Sequence, residues 1–130
     1  LTTKTGFIRG EPVTNALEKV LKESGVDEMI KKYDELKGSD NSGYLFSEHM
    51  LHKVGHDLLR KNMVDEALIV FRKNVQEYPD SFMANDALAE TFLKKGDKKQ
   101  AVRYFKKSVK LDPGYEYGKK MIAEIKTKNE

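Results

Sequence analysis

The sequence predicts an all-α chain of stacked antiparallel helix hairpins. Three observations carry that expectation. Sliding the chain on itself by 34 residues lays Gly55 on Ala89, Leu58 on Phe92, Ala67 on Ala101, Phe71 on Phe105 and Pro79 on Pro113. Each copy reads as helix, tight turn, helix, and each ends at a proline, which disfavours helix in the residue before it. Short side chains also stand where paired helices would cross, Gly55 with Ala67 and Ala89 with Ala101. Two helices approach closely only where the crossing carries small residues.

The elements follow in order. Residues 1–10 show no helical period. Pro12 suits a helix start, and Val13, Leu17, Val20 and Leu21 then share one face. After Gly25, Met29, Ile30, Tyr33 and Leu36 line a second stripe, so residues 11–37 read as a degenerate first hairpin in which GVDEMIKKY resembles a turn and second helix one residue shorter than the others. The stretch GSDNSG (38–43) is a loop. In residues 47–79, Ser47 offers a capping oxygen, and Leu51, Val54 and Leu58 surround Gly55. The turn RKNMVDEA (60–67) leads into a second helix carrying Phe71. In residues 81–113, Asp80 and Ser81 offer the cap, and Leu88 and Phe92 flank Ala89. Gly96 supplies a permissive backbone in the turn KKGDKKQA (94–101), and Val102 and Phe105 complete the face. Residues 115–128, YEYGKKMIAEIKTK, form a seventh helix in which Ile122 and Ala123 take the places of Leu88 and Ala89. Its polar end suits a cap on the stack. A single domain covers residues 1–130.

The landmark order, a small residue, leucine or phenylalanine, alanine, phenylalanine and proline at a period of 34, resembles the tetratricopeptide repeat (TPR) over residues 48–113. The tryptophan usual early in the first helix is replaced by Leu51 in one copy and Asn85 in the next. The resemblance implies a right-handed solenoid whose first helices line a concave surface that receives a peptide or a partner's segment. The order KKYDELK, then YLFSEHMLHKVGHDLLRKNMVDEALIVFRKNVQEYPDS, then ALAETFLKKGDKKQAVRYFKKSVKLDP is also similar, over roughly residues 13–113, to repeat tails appended to bacterial β-lactamase-like and esterase-like serine hydrolases. That likeness implies a tail that docks or orients an attached enzyme.

All three histidines of the chain fall in SEHMLHKVGHDLL (47–59). Steps of three and seven residues turn a helix by about 60° and 20°, so His49, His52 and His56 share one face beside the core stripe. By the TPR resemblance they line the concave groove, with Met83, Asp86 and Glu90 on the next first helix and Tyr117 and Lys120 on the last. The histidines would then face two carboxylates. Such a groove fits a basic or neutral peptide and argues against the acidic chaperone tails that some TPR domains grip with lysine and asparagine. Protonation of the histidines would make affinity depend on pH between roughly 5 and 7.5. The alternative is a small-ligand or divalent-metal site at His52, His56, Asp86 and Glu90, since a four-residue step suits two ligands on one helix. His49 lies about 10 Å along the axis from His56, too far to join the same ion.

Composition narrows the rest. Charged residues make up 35% of the 130 and cysteines are absent, which removes disulfides, thiolate metal sites and cysteine nucleophiles and leaves the compartment open, periplasmic or cytoplasmic. The longest apolar run, Ala67 to Phe71, is too short to span a membrane. The chain opens on Leu1 rather than methionine, which reads as a piece of a longer protein. Residues 94–130 hold twelve Lys/Arg against five Asp/Glu, leaving twelve against sixteen in residues 1–93. Lys99, Arg103, Lys106 and Lys110 recur on one helix face, but without exposed aromatics beside them they argue against a nucleic-acid surface. Neither Ser-x-x-Lys, Gly-x-Ser-x-Gly nor His-Glu-x-x-His occurs. GYEYGKK (114–120) is one residue short of a phosphate loop and has lysine where a hydroxyl should hold magnesium. No enzyme activity and no cofactor is expected of this chain.

Overall fold

The computed structural model describes residues 11–39 and 44–128; the loop positions 40–43 and the segment 1–10 lie outside them. The chain is all-α. Among the described residues seven helices follow one another: α1 (Thr14–Ser24), α2 (Val26–Lys37), α3 (Glu48–Arg60), α4 (Val64–Glu77), α5 (Phe82–Lys95), α6 (Lys98–Leu111) and α7 (Glu116–Lys128). Helices α1 and α2 pack on each other, and from α3 onward each helix packs on the next. The first hairpin joins the second through α1 against α3 and α2 against α4. Among the described residues no helix is long and apolar enough to cross a membrane.

The α3–α4 pair shows why these residues form a hairpin. Ser47 caps α3, its hydroxyl accepting from the His49 N–H at 3.3 Å. Near the far end of α4 the Asn74 amide donates to the Glu48 carbonyl at 2.9 Å. At the turn, the Met63 N–H donates to the Leu58 carbonyl at 2.9 Å. First residues therefore meet last ones, and the helices run antiparallel. Between these ends the Phe71 ring lies directly on Gly55, where an added Cβ would stand 2.4 Å from its Cε1. Phe71, Ala67, Leu51 and Val54 are all buried. Burying a phenylalanine side chain contributes about 1.5–3 kcal/mol, and the glycine makes that seat available.

The turn geometry recurs 34 residues later. The Asn62 N–H donates to the Leu59 carbonyl at 2.9 Å, and the Gly96 N–H to the Leu93 carbonyl at 3.1 Å. The Met63-to-Leu58 bond has its counterpart in Asp97 to Phe92 at 3.0 Å. Asn62 and Gly96 both adopt left-handed backbone, φ 60° and 91°. Asparagine is among the few side-chain-bearing residues that visit this region readily. After the second helices, Tyr78 N–H to Asn74 O at 2.8 Å matches Asp112 N–H to Ser108 O at 2.9 Å. Ala89, Ala101 and Phe105 are fully buried. Helices α4 and α6 end at Glu77 and Leu111, each two residues before an exposed proline, Pro79 or Pro113. Ser81 caps α5 by accepting from the Ala84 N–H at 3.0 Å.

Buried Asn85 is held by its amide group. It donates to the Pro79 and Ser81 carbonyls at 3.0 and 2.8 Å and pins the junction between α4 and α5. The first hairpin is fastened on the α2–α4 side. Buried Tyr33 meets Phe46 edge-on at 5.3 Å, Lys37 pairs with Glu77 at 2.8 Å, and Lys73 pairs with Asp34 at 2.7 Å.

Three details differ from the sequence expectations. Pro12 does not open α1. It lies in a two-residue parallel pairing of Glu11–Pro12 with Tyr44–Leu45, and α1 starts two residues later with Val13 at its cap position. A proline fits such a short edge because its missing N–H is not needed in a ladder. Val102 is half-buried rather than core, and Ala123 is exposed, no helix among the described residues covering that face of α7.

Replacing Gly55 with alanine should destabilise the chain by about 1–3 kcal/mol, because buried Phe71 cannot yield and overpacking outweighs the gain in helix propensity. Urea unfolding measures it, and adding Phe71→Leu to Gly55→Ala should recover part of the loss.

Candidate functional site

Helices α3, α5 and α7 each bring side chains to one region. From α3 come His52 and His56, both half-buried, with ring centroids 4.3 Å apart. Phe71 of α4 backs them, its centroid 6.0 Å from His52 and 5.3 Å from His56. The ring that rests on Gly55 therefore also forms the floor under the histidines. From α5 come Asp86 and Glu90, one helical turn apart. Asp86 is close enough to His56, and Glu90 to Asp86, for their charges to act on each other.

The C-terminal side is closed by tyrosines. The Tyr115 hydroxyl donates to Asp86 Oδ1 at 2.5 Å, and its ring meets Phe82 edge-on at 4.5 Å. The Tyr117 phenol lies near enough to Glu90 for the carboxylate to act on it. The Tyr117 ring lies 5.9 Å from Tyr115 and 6.3 Å from Phe105. Thus Phe71 and Phe105, matched core residues of α4 and α6, each support a polar group of the site.

Its electrostatics follow from this packing. Burial, then the neighbouring His56 and His49, pushes the His52 imidazolium down to about 4. Burial and Arg60 lower His56 as well, with Asp86 acting in the opposite direction. Burial raises the Asp86 carboxyl, Glu90 adding to the rise and the Tyr115 hydrogen bond working against it. Burial and Asp86 raise the Tyr115 phenol, while the neighbouring Glu90 carboxylate, followed by burial, raises the Tyr117 phenol to about 12. At neutral pH the site holds an uncharged His52, two neutral phenols and the carboxylates of α5. The sequence places histidine charging between roughly 5 and 7.5. The structure moves His52 below that window, because Phe71 desolvates it.

The remaining expected residues are less involved. His49 is exposed near the start of α3 and acts on His52 only through its charge. Met83 is half-buried on α5, just under a turn before Asp86. Lys120 is exposed and pairs at 3.9 Å with Glu124 of its own helix, not with Asp86 or Glu90. Among the described residues no group of three or more His, Asp or Glu is arranged to hold one metal ion.

Tyr115 is the contact that the sequence reading misses. It lies 34 residues beyond Ser81, at the position that caps α5. A large aromatic residue where a small capping side chain belongs is the available signal. A separate cleft of about 700 Å³ lies between the α1–α2 turn and α3, with Leu21, Val26, Val54, Leu58 and Met63 along it. It opens where the first hairpin is short: α1 has 11 residues against 13 in α3, and Gly25 alone, at φ 93°, links α1 to α2.

Compared with known proteins, the chain matches no family model and no curated protein.

A lowered imidazole binds its proton later in the folded chain than in the unfolded one. The unfolded chain therefore takes up protons first as pH falls below about 6.5, and the stability present above that value is lost on the way towards about 4. The melting temperature should fall across this window. His52→Leu, which removes the titrating group, should flatten the fall relative to the parent chain. Asp86 acts in the opposite sense just above its ordinary range, since its raised carboxyl protonates first in the folded state.

Proposed function

We infer that the chain is a TPR-like protein-interaction module, a right-handed solenoid of antiparallel hairpins that receives a basic or neutral peptide segment along α3, α5 and α7. Support for the repeat comes from turn hydrogen bonds that recur 34 residues apart, and from the left-handed backbone shared by Asn62 and Gly96. It also comes from the complete burial of Ala67, Ala89 and Ala101. The observation that carries the binding reading is the convergence of His56, Asp86, Glu90, Tyr115 and Tyr117 from three separate stretches of chain. Half-buried carboxylates beside tyrosine rings suit a lysine or arginine side chain, which gains from charge and from the aromatic faces. His49, Met83 and the outer part of Tyr117 would extend contact along the peptide.

The chain's role is then recruitment, with no chemistry of its own. As the tail of a larger hydrolase it would bring the enzyme a partner or hold it in orientation. That version rests on the similarity of residues 13–113 to hydrolase tails. The small-ligand or metal alternative has weaker support. His52 is desolvated against Phe71, and Asp86 is already engaged by Tyr115.

Selection from a displayed random-peptide library tests the reading. Enriched peptides should carry net positive charge, and their affinity should fall at least about tenfold, or about 1.4 kcal/mol, for Asp86→Asn combined with Glu90→Gln. Acidic consensus peptides, or binding indifferent to the double variant, would contradict it.

A further inference from the structure

A second cleft, of about 490 Å³, lies between the first half of α6 and the end of α7. Five cations line it: Lys98, Lys99, Arg103 and Lys106 from α6, and Lys126 from α7. No carboxylate is among the lining residues. Among the described residues none of these five has an ion-pair partner, although eleven ion pairs form elsewhere. The nearest acids in sequence are occupied: Asp97 caps α6 by accepting from the Gln100 N–H at 3.2 Å, and Glu124 faces Lys120. Uncompensated like charge along one cleft raises its potential and attracts anions.

The lining also says what kind of anion. Its remaining members are aliphatic, half-buried Val102 and buried Ile125. No aromatic ring lines the cleft, and the neighbouring Tyr104 is stacked on Phe92 at 5.6 Å with Arg103 over its ring. A single-stranded nucleic acid needs aromatic platforms for its bases, and this cleft offers none. Carboxylates spaced around an aliphatic side chain match both the charge and the floor.

We propose that the α6–α7 cleft is a docking site for an acidic peptide segment that places an aliphatic residue over Val102 and Ile125, with Asp or Glu on either side. This site is separate from the one on α3, α5 and α7 and has the opposite charge preference. The module would thus take a basic segment in one place and an acidic segment in the other.

Fluorescence anisotropy with three labelled probes tests the proposal. These are a glutamate-rich peptide with one central leucine, the same peptide with serine in place of leucine, and oligo(dT) of equal charge. The leucine peptide should bind more tightly than both others at the same ionic strength. Arg103→Glu with Lys106→Glu should weaken it at least about tenfold, with unchanged helical circular dichroism. Lys19→Glu with Lys31→Glu, which changes net charge equally but away from the cleft, should alter it by less than about twofold. The proposal is overturned if the leucine peptide does not bind, or if either other probe binds as tightly, which would mean charge alone or a nucleic-acid surface. It is also overturned if both charge reversals weaken binding equally.

Discussion

Gly55 is the position on which the described structure most depends. With no side chain there, the Phe71 ring can rest against α3 in the space a Cβ would fill. That contact draws α4 against α3 along its length, with the Asn74–Glu48 bond at one end and the Met63–Leu58 bond at the other. The same ring desolvates His52 and His56. One packing decision therefore fixes both a hairpin and the chemical state of the groups above it. Burial at such crossings is cooperative, since neither helix covers its apolar stripe alone.

The site inherits its form from the stack. Asp86 stands on α5 between His56 and Tyr115, and Glu90 stands beside Asp86 and Tyr117. The Tyr115 hydroxyl satisfies part of the Asp86 carboxylate while leaving its charge in place. A partly buried carboxylate is costly to ionise without donors, and the hydrogen bond from Tyr115 offsets part of that cost at Asp86. For the proposed reading, the arrangement offers retained negative charge to a cation. Its phenols are raised well above neutrality, and its most perturbed histidine is lowered well below it.

Helix positions, the crossing residues and the turns are legible in the sequence because each leaves a local mark: a four-residue step, a glycine or alanine at a matched register, a proline two residues past a helix end. The site is legible only in outline. His56, Asp86, Glu90 and Tyr117 can be named from register alone, whereas the contact of Tyr115 with Asp86 depends on a side chain folding back from the α6–α7 junction. The depression of His52 is legible only in part: His49 and His56 stand on its own helix, but the burial that contributes most comes with Phe71, 19 positions away in sequence. The pairing of Glu11–Pro12 with Tyr44–Leu45 covers two residues on each strand, too short for an alternating pattern to announce it. Lys120 shows the opposite failure: its register places it among the site residues, but its ammonium is drawn to Glu124 on its own helix.

The central claim is that α3, α5 and α7 jointly present one surface for a basic peptide. Amide chemical-shift mapping during titration with a lysine- or arginine-bearing peptide tests it most directly. The account predicts that the largest shifts fall together on residues around His56, Asp86, Glu90 and Tyr117, with α2 and the N-terminal half of α6 unmoved. Shifts confined to the cleft beside Leu21 and Met63, or to a single helix, would contradict it.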